Sequence, residues 1–488
     1  MTSFSFVFFV PVLLAVYYLI PRRLQWGLLL LVSLGFYAAG GARYLGFLLF
    51  TAVSVYGSAC LMDARQREEG GPGNRGILVL CLTANFLILG LCKISLVVPG
   101  LMGLGLPLGI SFYMFQATGY LIDVYRGKAK AEKNFLKFLL FVSYFPQVVQ
   151  GPISKFGFLS RTLYGEHVCN VKEISFGVQR MLLGYFKKLV IADRIAVAVA
   201  ALRGPEYLGV GFFLLTFFYA IQIYCDFTGG MDIALGLSQA LGVTLPENFI
   251  RPYFSKNTAE YWRRWHITLG QWMKDYIFYP LSVSRPLMKL GRWARKRWKK
   301  FGKRLPVYVA AVVTWAVTGI WHGITPNFLV WGMLNCGVII ASQELEPVYA
   351  RFHQRYHLKE KFWYGGFEVL RMFFLMNLIR ACDLFPHVGE YFRRMGSLIW
   401  CPSFHLLTDG SLMGLGLSGL DYTIILVGMV ILFLVSWGEA ERGSIREVLY
   451  GKSVVWQYLV FFGLFLIVLL MGHYGVGYEA SAFIYNQF

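Results

Sequence analysis

Two histidines stand in contexts where an imidazole could do chemistry. His322 lies in TGIWHGITPNF, inside the otherwise charge-free apolar run Val307–Ser342. An ionisable side chain in so apolar a run is costly and marks a functional site. Burial disfavours the imidazolium, so a neutral ring there can accept a proton from a hydroxyl. His266 lies in AEYWRRWHITLGQWMKDYIF, among Arg263, Arg264, Lys274, Asp275, Tyr261, Trp262, Trp265 and Trp272. That stretch is too polar to span a bilayer and suits a helix at the interface, where its plainer reading is a histidine without a chemical role. No Asp or Glu occurs between Tyr276 and Gln343. A carboxylate partner for His322 must therefore come from elsewhere. Asp193 in KKLVIADRIA and the pair Asp226 and Asp232 in IQIYCDFTGGMDIALG are the candidates. Acids that interrupt apolar stretches need partners, and ion pairing with Lys187, Lys188 or Arg194 is the plainer reading. No GxSxG or Cys/His nucleophile arrangement is present, which favours direct transfer, with a histidine as base, over a covalent acyl-enzyme. His353 and His357 are spaced to share a helix face, but their surroundings are cationic and offer no third ligand, so no metal is expected.

The elements that hold these residues must be membrane helices. The chain has 488 residues, 57% hydrophobic and 15% charged, with mean hydropathy +0.55; a soluble chain carries about 25% charged residues. Apolar stretches recur along it and predict an all-α polytopic membrane protein of about 10–12 spanning helices. The first, Phe4–Ile20, lacks a basic n-region and a cleavage site and reads as a retained helix. As one helix, Val307–Ser342 would be about 54 Å long, against a hydrocarbon core of about 30 Å. Gly323 and Pro326 are natural breakers, and a break at that depth must be covered by protein or a cavity. His322 is thus expected beside a buried cavity.

Loops after odd-numbered helices are basic (Arg22 and Arg23; Arg65, Arg67 and Arg75; Arg126 to Lys137), and the even ones, Gly40–Tyr44 and Pro99–Gly105, are nearly neutral. The positive-inside rule then puts the N-terminus outside the cytoplasm. The same rule accounts for the net charge of +20 without invoking nucleic acid. The most basic segment, Arg285–Arg304, holds ten Lys or Arg and no acid. Two compatible readings are a cytoplasmic loop against anionic lipid and a dock for an anionic donor such as a CoA thioester or an acidic carrier protein. The eight cysteines show no CxxC spacing and read as buried apolar residues.

Several motifs together resemble one family. They are FFVPVLLAVYYLIPRRLQWGLLLLVSLGFYA, LPLGISFYMFQATGYLIDVYRG, FPQVVQGPISKF, KKLVIADRIA, IQIYCDFTGGMDIALGL, LPENFIRPYFSKNTAEYWRRWHITLGQWMKDYIFYPL, TGIWHGITPNFLVWGMLN and the terminal SAFIYNQF. The chain resembles the membrane-bound O-acyltransferases, nearest the bacterial branch of alginate O-acetylation and teichoic-acid D-alanylation membrane subunits. The resemblance implies one integral-membrane domain over 1–488, with a catalytic core at about 105–343 and a ring of helices around a thin centre crossed by a tunnel. It places the family's catalytic histidine on His322 and a second polar position on His266. Asp193, Asp226, Asp232, Trp265, Trp321, Gln150 and Asn257 are carried as substrate-binding or structural residues, with no bound cofactor. The implied reaction moves an acetyl or D-alanyl group from a cytoplasmic thioester, acetyl-CoA or an acyl carrier protein. The acceptor is a hydroxyl of an envelope polysaccharide, a teichoic acid or a relay protein, and an extracytoplasmic acyltransferase or acceptor protein is the expected partner. The expected location is the bacterial cytoplasmic membrane. A transporter or flippase of envelope intermediates is the alternative from a different class, and a non-catalytic scaffold of a secretion complex is a third.

Overall fold

The computed structural model describes residues 4–69, 74–96, 98, 105–299 and 301–474. The SAFIYNQF motif, Lys300 and most of the Pro99–Gly105 loop lie outside the described residues. Among those described, the chain is helical, with no strand beyond one isolated bridge, Phe249 to Trp265. Among the described residues, seven helices are long and apolar enough to cross a membrane: Ala42–Gln66, Arg75–Ile94, Val210–Ala240, Phe301–His322, Pro326–Tyr356, Gly419–Glu441 and Val454–Met471. The protein is an all-α polytopic membrane protein. The count of apolar stretches runs higher because several fold as shorter or interrupted helices. Ile110–Tyr125 has 16 residues, about 24 Å. The stretch near 174–203 is divided into Val171–Tyr185, a π-helical Phe186–Ala192 and Asp193–Ala201.

Contacts divide the chain into two compact units. The first comprises Met1–Val190, Asp226–Pro246 and Glu441–Phe488. Within it, Val171–Tyr185 and the second half of Val210–Ala240 meet backbone to backbone. A Cβ added at Gly177 would sit 2.4 Å from the Gly236 carbonyl oxygen, and one at Gly184 would sit 2.6 Å from that of Gly229. Small residues at such positions let membrane helices approach closely. The approach delivers the π-helical lysines to the acids on the facing helix. Lys188 Nζ lies 2.5 Å from Asp226 Oδ1, and Asp232 takes Lys187 at 2.6 Å and Arg180 at 2.9 Å.

The second unit comprises Ile191–Cys225 and Glu247–Ala440. It contains the long run around His322, folded as two helices, Phe301–His322 and Pro326–Tyr356, with the break at Gly323–Thr325. Close contact fixes this hairpin. A Cβ at Gly319 would fall 2.4 Å from the Phe328 carbonyl oxygen, and one at Gly332 2.4 Å from that of Trp315. Gly332→Ala is therefore expected to cost about 1–3 kcal/mol by overpacking. It should lower the melting temperature of the solubilised protein, whereas Gly337→Ala, at a position with open space, should not. The basic helix Arg285–Arg297 packs on the start of the same hairpin, where a Cβ at Gly302 would meet the Ala294 backbone at 2.4 Å.

Candidate functional site

His322 is the last residue of its helix. Gly323 follows because a Cβ there would enter the Phe328 ring. Pro326 opens the next helix, where its fixed φ and missing N–H are both tolerated. Asn327 pins that helix start by donating to the Cys382 and Phe385 carbonyls at 3.1 and 2.5 Å. One turn on, Trp331 meets the His322 ring edge-on at 4.9 Å between centroids. His322 is 8% exposed.

His266 sits at a sharper feature than the interfacial helix that its sequence suggests. The helix Thr258–Arg264 ends, Trp265 is extended, and His266 takes a left-handed conformation, φ 48° and ψ 51°, before Ile267–Met273 begins. A non-glycine residue held there stores about 1–3 kcal/mol, a cost met at functional sites. The turn is held by the segment 248–250. Ile250 N–H donates to the Arg264 carbonyl and Ile267 N–H to that of Asn248, both at 3.0 Å. The Asn248 side chain accepts from Thr268 N–H at 3.0 Å and from its Oγ1 at 2.9 Å. It also lies 3.3 Å from His266 Nδ1.

The two histidines share a neighbour. The Trp321 indole contacts His266 at 6.0 Å and His322 at 4.8 Å, both edge-on. A tryptophan cluster adjoins His322 through Trp331. Trp331 meets Trp262 at 5.8 Å and Trp315 at 6.1 Å. His266 is 2% exposed and lies outside the seven candidate spans. Burial first, and then the nearby Arg380 guanidinium, push its pKa down to about 3. His266 is therefore a neutral ring at any physiological pH and acts as a hydrogen-bonding group rather than a charge. Arg380 itself lies 4.4 Å over the Trp265 ring and donates to Tyr261 Oη at 3.3 Å.

The other residues singled out from sequence fall in several places. Asp193 is half-buried where the π-helical stretch passes directly into Asp193–Ala201. Arg194 pairs with Asp421. Asp226 and Asp232 belong to the first unit and are ion-paired as described above. Gln150 also belongs to it and is 1% exposed, with neither amide atom hydrogen-bonded among the described residues. Asn257 is exposed and caps its helix, accepting from Glu260 N–H at 2.9 Å. Trp265 stacks on Tyr261 at 5.7 Å. His357 closes its helix in a left-handed conformation, and His353 Nε2 lies 2.7 Å from Tyr364 Oη. No group of three or more His, Cys, Asp or Glu placed to hold a metal exists among the described residues. Sequence reasoning did not single out Asn248, Arg380 or Trp331, although Asn248 and Trp331 stand within two of the quoted motifs and Arg380 is a charge within the apolar stretch 363–382.

Comparison with known proteins fits this arrangement. The probable alginate O-acetylase AlgI of Pseudomonas syringae pv. tomato is 32% identical over 345 residues, 66% of this chain and 62% of that protein. The peptidoglycan O-acetyltransferase of Helicobacter pylori is 29% identical over 73% of this chain and 70% of its own length. The teichoic acid D-alanyltransferase of Bacillus subtilis is 27% identical over 47% and 56%. The match thus spans under two thirds of the alginate O-acetylase's length. The model of the membrane-bound O-acyltransferase family matches residues 129–383, just over half of the 488 residues. That segment includes His266, Trp321 and His322, and the chain belongs to the membrane-bound O-acyltransferase family.

Proposed function

We propose that the protein is an O-acyltransferase that moves an acetyl or D-alanyl group from a cytoplasmic thioester to a hydroxyl of the cell envelope. The observation that carries this reading is the burial of two histidines against one indole, Trp321, within the segment that matches the family. His322 takes the proton of the acceptor hydroxyl as its oxygen attacks the thioester carbonyl. The C–O bond forms, the C–S bond breaks, and the proton passes from His322 to the departing sulfur. His266, a neutral ring, donates to the carbonyl oxygen as negative charge develops there, which contributes about 3–4 kcal/mol. Trp321 keeps water from the thioester. Asp226 and Asp232 support the fold through their lysines, and Asp193 and Gln150 are candidates for substrate contact. Acceptors named for the relatives, such as alginate, peptidoglycan and teichoic acid, set the class: a polysaccharide, a teichoic acid or a protein that relays the acyl group. We place the chain in the bacterial cytoplasmic membrane with the N-terminus outside, and the basic helix Arg285–Arg297 on the donor side.

The test uses membranes containing the protein, supplied in turn with radiolabelled acetyl-CoA and with a labelled D-alanyl carrier protein. Label is expected in envelope polymer or in a relay protein from one donor, which names the acyl group. Label that never leaves the donor, with unlabelled glycan crossing the membrane instead, would replace this reading with transport.

A further inference from the structure

We propose that Asn248 is a positioning residue that fixes which nitrogen of His266 carries the proton. The inference rests on the role given to His266 above. Asn248 is fully buried. One end of its amide faces Thr268 N–H at 3.0 Å and Thr268 Oγ1 at 2.9 Å. A backbone N–H can only donate, so the atom facing it must be the amide oxygen. That fixes the orientation of the amide and turns its NH2 group toward His266. The amide nitrogen, 3.3 Å from Nδ1, donates and cannot accept. Nδ1 is therefore the acceptor nitrogen of the ring, and the proton of the neutral imidazole resides on Nε2.

This matters because the ring is neutral. An imidazolium would present a donor at both nitrogens, whereas a neutral ring presents one, and its hydrogen-bond partner decides which. A donor to a developing oxyanion needs N–H at the nitrogen that faces the substrate. With Nδ1 turned to Asn248, only Nε2 can serve. Asn248 also holds the left-handed turn through its own carbonyl, which accepts from Ile267 N–H. The two tasks use different atoms and can be separated.

Asn248→Asp separates them. The isosteric carboxylate keeps an oxygen for Thr268 and leaves the backbone carbonyl untouched. It presents a second oxygen to Nδ1 in place of N–H. The proton moves to Nδ1, and Nε2 becomes an acceptor. Acyl transfer should fall about 100-fold, the usual loss for one oxyanion donor, with KM for the donor and folded yield close to wild type. Lowering the pH protonates the ring beside the new carboxylate and restores N–H at Nε2. The ratio of variant to wild-type rate should therefore rise as pH falls, which a purely structural loss would not produce. In the second arm, His266→Gln, which carries an N–H donor, should retain at least tenfold more transfer than His266→Ala.

Wild-type transfer by Asn248→Asp alongside an impaired His266→Ala would overturn the proposal for Asn248 and leave that for His266 standing. Wild-type transfer by His266→Ala would overturn both. Should Asn248→Asp not accumulate as folded protein, equal rates for His266→Gln and His266→Ala would overturn the donor role on which the proposal depends.

Discussion

Lys188→Met is expected to destabilise the protein by about 3–5 kcal/mol, the usual cost of stranding one partner of a buried ion pair. The pair with Asp226 is 2.5 Å long, and the two side chains are 1% and 2% exposed. Its helices cannot easily part to admit water. Gly184 and Gly229 hold them in backbone contact, where a Cβ would come within 2.6–2.8 Å of the opposite carbonyl. Removing the ammonium therefore strips the buried carboxylate of its cation. Thermal unfolding of the detergent-solubilised protein, followed by loss of the monodisperse species, measures this. The double variant Lys188→Met/Asp226→Leu should recover most of the loss, because replacing a whole buried pair with apolar groups is often neutral or better. Arg304→Gln is the control. Its pair with Glu344 is 47% and 43% exposed, and exposed pairs contribute little. A Lys188→Met protein as stable as wild type would contradict this account of the first unit.

What was legible in the sequence follows from how local each cause is. The break after His322 was readable because Gly323 and Pro326 announce it within four residues. Its close helix contacts were not, since Gly319 and Gly332 matter only through the carbonyls they face. The acids at 226 and 232 declared that they needed partners. The pairing itself depends on a π-helical stretch and two glycine contacts that bring together residues 38 and 45 positions apart. The turn at His266 left no trace at all. It contains no Gly or Pro, and the hydrogen bonds that hold it come from Ile250 and from Asn248, which lies 18 residues upstream of His266. At His353 and His357 the i, i+4 spacing shares a face only if the helix continues. It ends at Tyr356, and His357 turns left-handed.

His322→Gln is expected to lower acyl transfer by about 10²–10⁴-fold, the range that a positioned general base contributes. Glutamine nearly preserves the shape that packs against Trp321 and Trp331 and remains neutral, so the hairpin should fold. It has no nitrogen lone pair able to take the hydroxyl proton, so attack on the thioester loses its base. The loss should appear in kcat, with donor KM little changed, because the proton moves only as the transition state forms. The direct test is transfer of radiolabel by purified wild-type and His322→Gln protein in lipid nanodiscs, with equal folded yield verified by size exclusion. A wild type that labels the acceptor, beside a folded His322→Gln that does not, is the predicted result. Equal transfer by the two would contradict the assignment of His322 as the base and with it the mechanism.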